Sequence, residues 1–234
     1  MAENEKAKTE ETQEAVPKVY RERLKLLKKA QEYSAADEIP KAVELYSQYL
    51  NALALFYKVD ETKLEPKLFN QETDIAELFL ISHAYWDLAK AYDRSPNLHL
   101  ESIRCLDQFV KFTIGYKYQY VNARTMKAFI RKRLAHNPKA FKQAYERIQV
   151  ESKGCFVSSD IFGSDHHVTH QYRQFKPLLL SWPWGFKLVE FYYNSLCPTY
   201  FFFRKVPLVG SGVKCVSQLT LLFFYQFAKE RKLS

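Results

Sequence analysis

Apolar side chains recur every three or four residues from Val19 to Val150, and only six glycines interrupt the whole 234-residue chain. That period places them along one stripe of an α-helix, and a chain with so few glycines has little material for the tight turns of an all-β fold. Leu24, Leu27 and Ala30, with Leu26 and Tyr33, mark a first helix that breaks at Ser34–Asp37. Pro40, whose fixed φ suits a first turn, opens a second helix through Val43, Tyr46, Tyr49, Leu50 and Leu53. A third follows Thr73, read as its N-cap, and carries Leu78, Tyr85, Leu88 and Tyr92. Ser95-Pro96-Asn97 ends it and starts a fourth, and further helices are predicted at Val121–Ala135 and Pro138–Val150. The predicted fold class is all-α.

Residues 1–17 are charged and poor in large apolar side chains, so composition predicts a disordered tail without the apolar run of a signal peptide. With no uninterrupted apolar run long enough for a conventional span, the expected compartment is the cytoplasm. The cysteines Cys105, Cys155, Cys197 and Cys215 are widely spaced and are read as reduced thiols. The net charge of +9 is unevenly distributed: residues 1–110 sum to −5, residues 111–150 to +9 and residues 151–234 to +5. A field of that kind favours an anionic partner.

The first two helices resemble a tetratricopeptide-type (TPR) hairpin. Ala30 and Tyr33 match the small and aromatic positions of its first helix, and Ala42 and Tyr46 those of its second. Alanine lets two helices approach and tyrosine fills the gap beside it. Ala89 and Tyr92, followed by Ser102 and Leu106, form a second copy, with 58–72 as an irregular insertion. A plain helical bundle explains the same alanines. On the hairpin reading Tyr33, Tyr46, Tyr85 and Tyr92 are candidate contacts for a protein partner.

A dense Cys, His and aromatic block follows: Cys155-Phe156-Val157, Phe162-Gly163, Asp165-His166-His167, Tyr172-Arg173-Gln174-Phe175, Leu178-Leu179, Gly185 with Leu188-Val189, and Tyr192-Tyr193-Asn194-Ser195. In order and spacing, residues 155–198 resemble the CFI-box C-terminal domain, a module at the ends of many bacterial proteins. Ser158-Ser159-Asp160, Phe186, and Leu196-Cys197 before Pro198 depart from its pattern. The resemblance implies a terminal helical module attached to variable upstream domains and transfers no catalytic residue. It sets the expected division at 18–150, a TPR-like helical domain, and 151–234, a smaller aromatic-rich helical domain.

Three readings of the block compete. Cys155, His166 and His170 could hold a metal, since histidines four apart share a helix face. Cys155 could be a thiol nucleophile activated by a histidine and oriented by Asp160 or Asp165. The preferred reading is structural, with Cys155 and Phe156 seeding a core for Phe175, Leu179, Val189 and Tyr192. No cofactor is expected.

Two surfaces remain. Lys117, Arg124, Lys127, Arg131, Lys132 and Arg133 interleave with Phe112, Tyr116, Tyr118 and Tyr120, a pattern that suits an anion or single-stranded nucleic acid. Trp182, Trp184, Phe201 and Phe202, beside Arg204 and Lys205, suit a membrane interface. Together the residues predict a non-enzymatic adaptor that binds a protein partner and sits peripherally at the cytoplasmic face of an inner membrane. The alternatives are a metal or thiol enzyme centred on Cys155, and nucleic-acid binding through 111–147.

Overall fold

The computed structural model describes the backbone of residues 2–151, 156–163, 165–206 and 210–231, with the side chains of these outside 2–17, 156 and 223–231. Among the described residues every regular element is helical, as the three-to-four spacing predicts. The chain divides into two compact units. One is Met1–Phe112 with Ala135–Asn137; the other is Thr113–Leu134 with Pro138–Ser234. The boundary drawn from sequence near Val150 falls inside the second unit.

The first unit holds α1 (Ala2–Ala35), α2 (Ile39–Tyr57), α3 (Ile75–Asp93) and α4 (His99–Lys111), with α1 packed on α2 and α3 on α4. The stretch expected to be a tail is the first half of α1. Alanine, glutamate, lysine and glutamine are strong helix formers, and that preference needs no buried face. The turn into α2 places Asp37 at φ 59, Glu38 N–H donates to the Tyr33 carbonyl at 2.9 Å, and Pro40 lies in the first turn. Helix α2 ends on Lys58 in the left-handed region, its N–H turned back to the last carbonyls. The N-cap position of α3 is Asp74, one residue after the predicted Thr73, whose hydroxyl donates to the Asp74 carboxylate.

Alanine marks the close approaches. Ala30 and Ala42 are buried where α1 meets α2, and Ala89 is buried where the Ser102 hydroxyl donates to its carbonyl across α3 and α4. The tyrosines lie inside. Tyr46 is buried and donates to Asp87 at 2.6 Å; Tyr49 is buried and donates to Glu77 at 2.8 Å; Tyr85 is buried with its hydroxyl 3.3 Å from the Glu61 carbonyl. Glu77 also receives Arg23 at 2.7 Å, so one carboxylate joins α1, α2 and α3. The 58–74 connection is part of this core: two short 3₁₀ turns, Glu61–Lys63 and Pro66–Leu68, deliver Leu64 and Phe69 to buried positions.

The second unit holds α5 (Gln119–Arg131), α6 (Pro138–Glu151), α7 (Phe156–Phe162), α8 (His167–Leu180), α9 (Gly185–Phe191), α10 (Cys197–Arg204) and α11 (Gly210–Arg231). Val157, Val189, Tyr193, Cys197 and Tyr200 form a buried cluster edged by Ile161, Leu180, Tyr192, Phe201, Val213 and Leu221. A π-helical turn, Tyr192–Leu196, links α9 to α10. Pro198 in the first turn of α10 has no N–H to give the preceding turn, and the Cys197 N–H instead reaches the Tyr192 carbonyl. Two glycines of the block have clear causes. Gly163 sits at φ +99, and a Cβ on Gly185 would lie 1.5 Å from the Leu179 carbonyl oxygen.

Candidate functional site

The His166 ring is occupied by local structure. His166 is the N-cap of α8, at ψ 139, so it stands before the helix that was expected to align it with His170. Its Nδ1 accepts the Val168 N–H at 3.3 Å, and its ring stacks on Phe162 with centroids 5.2 Å apart. His170 is exposed on α8, and its backbone N–H closes the turn onto the His166 carbonyl. Cys155 lies outside the described residues. Among the described residues no group of three or more His, Cys, Asp or Glu side chains is placed to hold a metal.

Asp160, assigned above as a possible orienter of a thiol, instead ties two helices. From α7 it accepts the Tyr200 hydroxyl at 2.8 Å and pairs with Arg204, both on α10. Burial, reinforced by the carboxylate, pushes the Tyr200 phenol up from its ordinary pKa. In the second unit the buried core cysteine among the described residues is Cys197, on the inner side of α10. A cavity beside Tyr46, Asp87 and Arg94 holds about 30 Å³, room for a single water.

Two of the four tyrosines assigned to a partner are closed off from solvent. Tyr46 and Tyr85 are closed into the first unit's core by their own neighbours. Tyr33 is half-buried under Lys41, whose Nζ lies 5.1 Å from the ring centre, and Tyr92 is half-buried. The same shape that would let a tyrosine fill a groove on a partner lets it fill the gap beside its own alanine.

Helix α5 separates the basic side chains from the aromatic ones. Gln119, Asn122, Ala123 and Met126 face inward; the Asn122 amide donates to Thr113 at 2.7 Å, and Gly115 N–H donates to Gln119 at 2.8 Å. Tyr120, Arg124, Lys127 and Arg131 are exposed at spacings of four, three and four, which puts them along one row of the helix. Lys132 and Arg133 continue the exposed charge past its end, with Arg133 at φ 54, and Lys117 is exposed in the turn before it. Phe112 and Tyr116 are buried, and Tyr118 is stacked on Tyr116 at 5.4 Å with burial raising its phenol pKa. The expected interleaving of bases and stacking rings is therefore lost on folding, with Tyr120 alone of these rings beside the cations.

The aromatic surface is real but differs from the expected set. The end of α8, the turn through Pro183 and the outer face of α9 expose Trp182 at 51 %, Trp184 at 68 %, Leu188 at 49 % and Phe191 at 55 %. Trp184, Leu188 and Phe191 follow four-and-three spacing while Gly185 and Val189 turn inward, so α9 shows opposite apolar faces to core and solvent. Lys187 Nζ lies 5.0 Å from the centre of the Trp184 ring, within cation–π range. Phe202 and Lys205 are exposed on and after α10. Phe201 packs against the core cluster and Arg204 is engaged by Asp160, so these two leave the expected interface set. The spacing of Leu188 and Phe191 behind Trp184 was the signal that composition alone passed over.

An ion pair ties α5 to α9. Lys127 on α5 pairs with Glu190 on α9 at 3.1 Å; Tyr145 of α6 donates to the same carboxylate at 2.7 Å and receives the Asn194 amide at 2.9 Å. The second unit carries 19 Lys and Arg against 6 Asp and Glu, a net of +13, whereas the first carries 16 against 20, a net of −4. No helix among the described residues is long and apolar enough to cross a membrane.

No family model matches this chain, and no curated protein or solved structure is similar to it.

Proposed function

We propose that the chain is a non-enzymatic adaptor that attaches peripherally to an anionic membrane through its second unit, while the helices of the first form the scaffold for a protein partner. The carrying observation is the exposed face of Trp182, Trp184, Leu188 and Phe191 beside Lys187, in a unit with a net charge of +13. Water gains from losing contact with large apolar rings, and an indole over a lysine fits the boundary between acyl chains and headgroups. Singly scattered exposed leucines need no explanation, but four large side chains around one helix corner mark an interaction surface. The capping role of His166 and the commitment of Asp160 to Tyr200 and Arg204 support the non-enzymatic reading. The resemblance of residues 155–198 to the CFI-box family fits a terminal module that brings upstream domains to a common location. On this reading the location is the cytoplasmic face of a bacterial inner membrane.

The test is co-sedimentation of the full chain with vesicles of phosphatidylcholine and phosphatidylglycerol, comparing it with the double variant Trp182→Ala, Trp184→Ala. Removing two large interfacial side chains is expected to weaken partitioning by about tenfold or more. Absence of sedimentation by the unaltered chain at low salt would overturn the proposal.

A further inference from the structure

We infer that Arg124 and Arg131, on the exposed row of α5, form a phosphate-binding site for anionic phospholipid headgroups, with Lys127 between them tying the row to α9 through Glu190. This inference rests on the peripheral-membrane reading and assigns the polar half of the same seat. The helix itself contains no acidic residue, and Arg124 and Arg131 have no ion pair among the described residues. They stand two turns apart, about 10 Å along the axis. Each presents a planar fork of donors that can grip a phosphate through two hydrogen bonds, which a lysine cannot do.

Three further observations select lipid phosphate as the occupant. Glu190 is the acidic side chain bonded to the row, and its charge is already met by Lys127 and by the Tyr145 hydroxyl. The Lys127–Glu190 pair joins the row directly to α9, whose Trp184, Leu188 and Phe191 are exposed. A cationic row on a helix tied to one with an exposed apolar face suits a bilayer surface, where phosphates lie just outside the acyl boundary. An acidic protein would supply the charge without calling for the adjacent apolar face. A single-stranded nucleic acid would call for a platform of several rings, whereas Tyr120 is the exposed ring on the row, with Tyr116 buried and Tyr118 half-buried against it.

The experiment uses the full chain and vesicles of phosphatidylcholine with and without phosphatidylglycerol. The variants are Arg124→Gln with Arg131→Gln, Trp184→Ala with Leu188→Ala, and a charge-matched control, Lys28→Gln with Lys29→Gln on the exposed side of α1. Each basic group near a charged membrane contributes a factor of about five, so the arginine pair is expected to weaken binding to phosphatidylglycerol vesicles about thirtyfold. The control is expected to bind as the unaltered chain does. All three variants alter exposed positions, and their thermal transitions report whether the fold is kept.

If the arginine variant binds like the parent, or if the lysine control loses as much, the α5 row is not a phosphate site. If binding survives in the arginine variant but fails in the Trp184 variant, the inference falls and the membrane adaptor stands. If the unaltered chain binds no vesicle, both fall. Binding of an oligothymidylate that depends on Arg124 and Arg131, with no vesicle binding, would reassign the row to nucleic acid.

Discussion

Cys105 illustrates how one side chain's surroundings fix its chemistry. It is fully buried on α4, and loss of water pushes its thiol up to about 12, a rise that the neighbouring Arg104 only moderates. The neutral thiol is therefore the form the fold holds. A group whose pKa is raised on folding contributes stability that is complete below its unfolded value of 9.0 and is lost as pH rises toward about 12. Two outcomes are expected. A thiol reagent at neutral pH labels the exposed Cys215 in the native protein, and it labels Cys105 and Cys197 only after unfolding. Urea midpoints fall as pH is raised from 9 toward 12, less so in Cys105→Ala once its own loss of packing is subtracted. Native labelling of Cys105 at neutral pH, read by mass spectrometry, would show that the thiol is not enclosed. The wide spacing of the cysteines led to their reading as reduced thiols. Which of them is core was not legible there, because burial is a property of neighbours.

At the scale of elements, the joint between α8 and α9 decides where the apolar corner points. Ser181 and Trp182 close the α8 end with N–H groups donated to the Pro177, Leu178 and Leu179 carbonyls, and Gly185 then passes against the Leu179 carbonyl. Gly185→Ala places a methyl where backbone oxygen already stands, and neither can move without opening the turn. We expect a loss of about 1–3 kcal/mol in urea denaturation, the usual range for forced overpacking. Vesicle binding should fall with it, because Trp182 and Trp184 flank the joint. An unchanged midpoint would mean that the α8–α9 turn tolerates a wider spacing than the structure has.

Much at this scale was legible in the chain. Period, proline positions and break residues located α2, α3, α4 and α6 to within a few residues, since those signals act through the local backbone. Residues 2–17, expected from composition to be a tail, have helical backbone as the first half of α1, a state that helix propensity favours for the same composition. His166 was placed on α8 by spacing, yet it caps that helix. A cap and a first helical residue differ only in one dihedral pair.

Over the whole molecule, charge is partitioned between the two units, at −4 and +13. If the second unit seats on anionic lipid, association must be salt-dependent. The screening length falls from about 10 Å at 0.1 M ionic strength to about 3 Å at 1 M, while apolar contact is not screened. Sedimentation with phosphatidylglycerol vesicles is therefore expected to decline steeply with salt toward a residual set by Trp182, Trp184, Leu188 and Phe191. Binding indifferent to salt would remove the electrostatic half of the seat, and the proposed role of α5 with it.

The sequence by itself determined the helical class, most helix boundaries, the charge partition and the aromatic density after Leu178. These follow from local propensity, periodicity and composition, which do not depend on what a segment packs against. Tertiary structure decided which side of each amphipathic residue meets water. It closed Tyr46 and Tyr85 into a core, buried Tyr116 with Tyr118 stacked on it, and committed Arg204 and Asp160 to each other. It left Trp184, Leu188 and Phe191 exposed beside α5. A tyrosine, an arginine or a tryptophan carries both an apolar body and a polar tip, so its own identity permits either fate. Only the neighbours brought by long-range packing choose between them.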